Sequence, residues 1–289
     1  MMATATPQAK PRTDVRAFAE PYRRDGVTFL KGRLDEEAVG LVQAAYDWKL
    51  ANPGPSAARY YPDSGATFLQ ASGDSIDQPD FNRMLKESPI AGIVADLFGS
   101  GGVWYIGEQL FLKEGGGPTA VARRTPWHQD SSYLPFEGEK IAVVWIPLDP
   151  VPKAAALEIV RGSHKGTTYN GSLFHAKDDT VGLYKGDPLP RLPDIEAHRD
   201  EWNDKIVSWA SGPGDVLIFH TASLHGGGAT LPGMRRRSLT LRFVGDDVVR
   251  VARPKRRGEA DQEPGDRFER LPLGASLWQS GIRKVHPWT

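Results

Sequence analysis

The sequence predicts a β-rich α+β protein, a barrel or sandwich of short strands buttressed by helices on its N-terminal side. Apolar residues recur at three- and four-residue steps before residue 100, and short apolar runs bounded by glycine and proline follow it. The chain has 289 residues, enough to bury a core without staples. Charged residues at 25% and hydrophobic ones at 39% suit a folded globular chain rather than a disordered one.

Met1 to Arg12 is small, polar and proline-bearing with no apolar signal core, and is expected to be a loose cytoplasmic tail. Asp14 to Arg24 fits a short helix closed by Gly26, with a strand from Val27 to Leu30. Asp35 is placed to cap a helix bearing Val39, Val42, Tyr46 and Leu50, ending near Asn52-Pro53-Gly54. Asn52 to Asp80, with Tyr60-Tyr61-Pro62, is expected to be a long loop. A further helix is predicted from Pro89 to Phe98, with Ser88 as cap, Pro89 in the first turn and Gly99 as terminator.

Strands are predicted at Val103 to Lys113, Lys140 to Pro147, Leu157 to Val160, Ile206 to Trp209, Val216 to His220 and Arg237 to Val244. Gly115-Gly116-Gly117-Pro118, Gly212-Pro213-Gly214-Asp215 and Gly226-Gly227-Gly228 punctuate them. Arg250 to Asp266 mixes opposite charges with proline and glycine and reads as a second long loop. With no repeat or linker, the expectation is one domain over 13–289: helical support to 100, a strand core over 101–249 and a C-terminal loop and tail.

Composition removes several function classes. There is no cysteine, hence no disulfide, thiolate zinc site, iron–sulfur cluster or cysteine nucleophile, and nothing of that kind for oxygen to damage. The 36 basic and 36 acidic side chains balance, which argues against nucleic-acid binding. The longest apolar runs, such as Ile141 to Ile146, are too short to span a bilayer. The expected partner is a small-molecule substrate, and the expected compartment is the cytoplasm. Neutrality offers no repulsion against self-association and fixes no oligomeric state.

The chemistry concentrates in Thr125-Pro126-Trp127-His128-Gln129-Asp130. If this stretch is extended, His128 and Asp130 project to one face and offer an imidazole and a carboxylate to one metal. The bland alternative is a histidine held by a neighbouring carboxylate in a turn. Gly214 to His220 reads as a strand, and His225-Gly226 follows across a short turn, so either His220 or His225 is available as a third ligand. Two histidines and one carboxylate form the facial triad of non-haem Fe(II) oxygenases. The same donors permit a zinc Lewis acid for hydrolysis or isomerisation, or a non-catalytic module on the same barrel. Arg236, within Arg235-Arg236-Arg237, can grip a carboxylate, whereas a solvated basic turn suits its two neighbours.

These segments in order, with Trp145-Ile146-Pro147-Leu148-Asp149, Leu157-Glu158, Gly162-Ser163-His164-Lys165, Pro213-Gly214-Asp215 and Arg236 to Phe243, resemble the phytanoyl-CoA dioxygenase family over roughly residues 100 to 245. The resemblance implies a double-stranded β-helix, a cupin-like jelly roll, that uses Fe(II), 2-oxoglutarate and O2. It implies His128, Asp130 and His225 as iron ligands and Arg236 as partner of the distal carboxylate of 2-oxoglutarate. Gln129, Trp145 and Gln109 match positions that line the co-substrate pocket, and Tyr133 and Phe136 match a segment expected to face substrate. His220 and His164 take structural roles, and His175, His198 and His286 are expected at the surface. The implied activity is hydroxylation of an unactivated C–H bond with release of succinate and CO2, or desaturation or cyclisation by the same oxidant. Asp130 occupies the place that halogenating relatives leave open for halide.

The chain departs from the family at Ala154-Ala155-Ala156, where an Asn-Gly pair is common, at Arg161 and at Gly227, where proline and serine are frequent. Substrate identity does not follow from the family. Arg59-Tyr60-Tyr61, Trp202 and Arg253 to Arg257 suggest an anionic or amphipathic molecule, with solvation as their plain alternative.

Overall fold

A computed structural model describes residues 14–175, 177–186, 188–254 and 267–288. The expected tail 1–12 and most of the 250–266 loop lie outside the described residues. The larger sheet contains β1 (Val27–Leu30), β2 (Ala58–Arg59), β3 (Thr67–Gly73), β4 (Val103–Glu114), β7 (Ile141–Pro147), β10 (Val216–Phe219), β12 (Arg235–Val244) and β14 (Lys284–His286). Its order is β1-β10-β7-β12-β4-β3-β2, with β14 also on β4. The smaller sheet runs β5 (Thr125–His128), β11 (His225–Gly227), β8 (Leu157–Val160) and β9 (Ile206–Val207). A short ladder joins β6 (Phe136–Glu137) to β13 (Val249–Arg250). Two antiparallel sheets facing one another form the double-stranded β-helix expected from the resemblance.

The alternation of side chains along the central strands sorts the molecule into layers. Ala142, Val144 and Ile146 of β7 join the core under the helices, while Val143 and Trp145 turn between the sheets. In β10, Val216 and Ile218 face the helices and Leu217 and Phe219 face inward. Both faces are covered, so these strands read as unbroken apolar runs. In β12, Leu239, Leu241 and Phe243 face the helices, and the intervening Arg236, Ser238, Thr240 and Arg242 line a cavity.

Helices α1 (Ala19–Asp25), α2 (Glu36–Ala51), α3 (Pro79–Glu87) and α4 (Ile90–Phe98) cover the outer face. They contribute Tyr22, Val42, Tyr46, Phe81, Val94 and Leu97 to that core, each aliphatic or aromatic burial stabilising by about 1.5–3 kcal/mol. Asp35 caps α2 as expected, its Oδ1 accepting the Ala38 N–H at 2.9 Å. Among the described residues, no helix is long and apolar enough to cross a membrane.

Several local expectations change. The predicted helix at Asp14 to Arg24 divides into a 3-10 turn, Arg16–Phe18, and α1; the Gly26 N–H closes α1 on Tyr22 O at 2.8 Å. Pro89 stands at the start of α4 with φ −75° and ψ −2°, and Ser88 before it is extended, at φ −81° and ψ 160°, its Oγ accepting the Ile90 N–H at 3.5 Å. The segment 52–80 is not a continuous loop: it supplies β2 and β3 to the sheet and begins α3. Its polar composition hid β3 because Gln70 and Ser72 face the cavity rather than an apolar core.

Candidate active site

Between the two sheets lies a cavity of about 530 Å³, and it gathers the groups singled out in the sequence. His128 ends β5 and His225 begins β11, where they are opposed across the antiparallel ladder with ring centroids 4.1 Å apart. Gln129 is extended, at φ −122° and ψ 130°, so Asp130 returns to the face of His128 before the chain tightens into a 3-10 turn. His128 Nε2 lies 3.6 Å from Asp130 Oδ1, and one ligand atom from each of His128, Asp130 and His225 falls within 4.8 Å of the others. His220 is elsewhere, with Nε2 2.9 Å from Gly138 O and Nδ1 accepting the Ala222 N–H at 3.1 Å.

The hydrogen bonds prepare these groups for a cation. His128 Nδ1 lies 2.8 Å from Pro126 O and His225 Nδ1 lies 3.0 Å from Ser223 O. A carbonyl accepts only, so each Nδ1 carries the proton and each Nε2 keeps its lone pair. Burial pushes the His225 pKa down to about 3, with the neighbouring His128 acting in the same direction, and this keeps the ring neutral. Burial opposes ionisation of Asp130, but the Arg242 guanidinium outweighs it and holds the carboxyl well below the ordinary range. Arg242 binds Asp130 Oδ2 through Nε at 3.2 Å and Nη2 at 2.8 Å, and the Tyr133 hydroxyl donates to Oδ1.

Arg236 opens the other end of the same β12 stripe. It is 5% exposed, donates to Ala155 O and to Gly228 O, and has no ion pair among the described residues. Burial lowers its pKa to about 10. A desolvated guanidinium without a carboxylate calls for an anion. Further along the same face of β12, beyond Ser238, Thr240 Oγ1 is buried without a hydrogen-bond partner among the described residues. Lys113, opposite Arg236 on β4, is fully buried and donates to Arg123 O at 2.9 Å and Thr125 Oγ1 at 2.8 Å. Burial and then repulsion from Arg236 and Arg124 push its pKa well down. The donor set therefore fits both a divalent metal and a dicarboxylate reaching from that metal to Arg236.

Other expected residues take more specific places. Trp145 and Gln109 line the cavity, but the Gln109 Oε1 is engaged by Arg242 Nη2 at 2.7 Å. Gln129 is expected at a position that lines the co-substrate pocket. It touches the cavity, while its amide donates to Thr167 O and Ala222 O and accepts the Tyr169 N–H, which braces two loops. Tyr133 also lines the cavity, yet its hydroxyl is spent on Asp130 rather than left for substrate. Phe136 lines the inner wall and meets Phe268 edge-on at 5.8 Å. The Ala154 to Ala156 departure is harmless to Arg236 because a main-chain oxygen, Ala155 O, does the holding. A β-carbon at Gly227 would sit 3.5 Å from Thr125 Oγ1 and 3.6 Å from Arg236 Nη2, so Thr125 supplies a hydroxyl where the family's frequent serine would point.

Sequence reasoning missed Arg242, Thr125, Lys113 and Phe174. A usable signal was the alternation Arg236-x-Ser238-x-Thr240-x-Arg242, a polar face on a strand whose other face is apolar. Phe174 carries no such signal; it reaches His128 edge-on, with centroids 5.2 Å apart, from a loop.

The family profile described as Phytanoyl-CoA dioxygenase (PhyH) matches residues 22–238. A probable phytanoyl-CoA dioxygenase of Caenorhabditis elegans is 25% identical over 181 residues, covering 61% of this chain and about half, 54%, of the worm protein. The 1-deoxypentalenic acid 11-beta-hydroxylase of Streptomyces exfoliatus is 24% identical over 254 residues, covering 83% and 82% of the two chains. Among solved structures, the non-heme alpha ketoglutarate dependent epimerase SnoN from nogalamycin biosynthesis superposes with a TM-score of 0.64 at 20% identity, covering 93% of this chain and 97% of that one. EctD from S. alaskensis gives 0.59 at 19% identity, covering 84% and 80%. At these identities the structural likeness establishes the fold.

Proposed function

Since the chain belongs to the phytanoyl-CoA dioxygenase family, we propose that it is an Fe(II)- and 2-oxoglutarate-dependent oxygenase that hydroxylates an unactivated C–H bond of a small molecule. The observation that carries this reading is one cavity holding both the His128, Asp130 and His225 cluster and a buried Arg236 that has no carboxylate partner among the described residues. When bound, iron and 2-oxoglutarate would supply the oxidising equivalent, with O2 consumed and succinate and CO2 released.

The protein's own part is geometric and electrostatic. The bonds from His128 Nδ1 and His225 Nδ1 to main-chain oxygens fix both rings with Nε2 toward the shared centre. Arg242 occupies Asp130 Oδ2, so Oδ1 is the oxygen presented to a metal. Arg236 would hold the distal carboxylate in a fork, and Trp145 would pack beside it. Phe174 and Tyr60, 5.5 Å apart, wall the opposite side and keep water from the reacting bond. Asp130 fills the position that a halide would need, which favours hydroxylation over halogenation.

Succinate release by purified protein with Fe(II), ascorbate and 2-oxoglutarate, together with anaerobic titration, tests the proposal. A weak visible charge-transfer band on adding 2-oxoglutarate to the Fe(II) protein is expected, and its loss is expected in Arg236→Ala. A zinc site would give no such band. Unchanged 2-oxoglutarate affinity in Arg236→Ala would remove the assigned clamp.

A further inference from the structure

Beyond the triad and the Arg236 end, the cavity has an outer compartment, and its charge is fully spent. Glu108, 1% exposed, is paired with Lys49 Nζ at 3.1 Å and takes hydrogen bonds from Tyr105 Oη at 2.6 Å and Ser75 N at 3.0 Å. Arg242 is committed to Asp130. Arg267, beside the lining residue Phe268, pairs with Asp74 at 2.7 Å. Arg253 donates to Ser131 O at 2.8 Å and to Glu137 at 2.9 Å. Among the described residues, this compartment offers no uncommitted charge to an anion, a cation or a zwitterion.

What it offers instead is ring faces and neutral hydrogen-bonding groups. Tyr60 and Phe174 stand with centroids 5.5 Å apart, and Phe136, Leu183 and Leu173 continue the wall. Leu173 is 41% exposed at the mouth, an apolar side chain left for something to cover. Phe174 adopts φ +55°, a left-handed conformation that costs a bulky residue about 1–3 kcal/mol. Its surroundings impose that conformation: the Phe174 N–H binds Ser172 Oγ at 3.0 Å, and Tyr61 Oη binds Phe174 O at 3.3 Å. Backbone strain is thus spent on holding one aromatic ring edge-on to His128. Across from it, Gln70 and Ser72 share the inner face of β3. Among the described residues, the amide of Gln70 and the hydroxyl of Ser72 have no hydrogen-bond partner. Ser72 stands beside Gln109 in the ladder, next to the oxygen that Arg242 holds.

We propose that the substrate is a neutral, largely apolar, ring-bearing molecule whose ring packs against Tyr60 and Phe174 and whose hydroxyl or carbonyl oxygen is read by Gln70 and Ser72. This deepens the oxygenase reading and rests on it only for which bond is attacked. A substrate that carries its own charge into this compartment meets, among the described residues, no uncommitted partner for it.

Calorimetric titration of the full chain with 2-naphthol, naphthalene, octanoyl-CoA and L-proline tests the proposal, run with and without Mn(II) and 2-oxoglutarate. The expected result is saturable binding of 2-naphthol at least about tenfold tighter than of octanoyl-CoA or L-proline. Phe174→Asn keeps a residue that tolerates positive φ and removes the ring, and is expected to weaken 2-naphthol by about tenfold. Gln70→Ala is expected to erase most of the preference for 2-naphthol over naphthalene. Unaltered far-UV circular dichroism and a cooperative thermal melt in both variants show that they fold. A charged probe binding as tightly as 2-naphthol, no binding of 2-naphthol, or unchanged 2-naphthol affinity in Phe174→Asn would each overturn the proposal. Failure of 2-oxoglutarate to bind while 2-naphthol binds overturns the oxygenase reading instead.

Discussion

Arg242 grips Asp130 Oδ2, with Nε at 3.2 Å and Nη2 at 2.8 Å, while Oδ1 of the same carboxylate lies 3.6 Å from His128 Nε2. The pair lies across the barrel between β12 and the end of β5, and Gln109 fixes the guanidinium from a third strand at 2.7 Å. With Arg242 on Oδ2 and the Tyr133 hydroxyl on Oδ1, which keeps a second lone pair, the carboxylate is oriented before any metal arrives.

Arg242→Met should therefore weaken metal binding about 10–100-fold, because it removes the group that orients and charges Asp130. It should also cost about 3–5 kcal/mol of apoprotein stability by leaving a buried carboxylate unpaired. Mn(II) titration and denaturant unfolding of the metal-free protein measure the two effects separately.

Thr125 accepts the Lys113 N–H at 2.8 Å, which leaves its own hydroxyl proton to point into the cavity beside Arg236. Thr125→Val should weaken 2-oxoglutarate binding by about 2- to 10-fold, the value of one hydrogen bond. Thr125→Ser should retain it. The KM for 2-oxoglutarate, compared with kcat for succinate release, reads this directly.

His220 should make the protein acid-sensitive. Its Nε2–H donates to Gly138 O and its Nδ1 accepts from Ala222 N, so both nitrogens are used only in the neutral ring. Burial lowers its pKa to about 4, reinforced by nearby His164 and opposed by the Gly138 hydrogen bond and Asp247. The unfolded chain takes up the proton first, near 6.5. Stability is thus full above that pH and falls as pH drops toward 4, by on the order of 3 kcal/mol from this residue. Thermal melts of His220→Gln should show a smaller loss of Tm between pH 7 and 4.5 than the parent.

Gly26 has φ +70°, and a β-carbon there would lie 2.3 Å from His164 Nδ1 and 2.7 Å from Ser223 Oγ. Gly26→Ala should destabilise by roughly 2–4 kcal/mol through strain and overpacking together. Its carbonyl accepts from His220 N and Ser223 Oγ, both at 2.9 Å, so the shift should also disturb the turn that leads to His225. Chemical denaturation and metal affinity of this variant check both.

By itself, the amino-acid order determined which groups are present and how they alternate. His128 and Asp130 two apart, a histidine before Gly226, Arg236 on a strand, the Asp35 cap and the doubly apolar β7 are all local patterns, and local periodicity reports them faithfully. The tertiary structure decided who meets whom. Asp130 and Arg242 stand 112 residues apart, Tyr61 and Phe174 113 apart, and His128 faces His225 only through the β5–β11 register. It also decided that the tyrosine after the triad serves Asp130 and that Gln129 braces loops, since side-chain partners depend on which strands and loops close over them. Pairing across a sheet has no period along the chain, and so no window of sequence displays it.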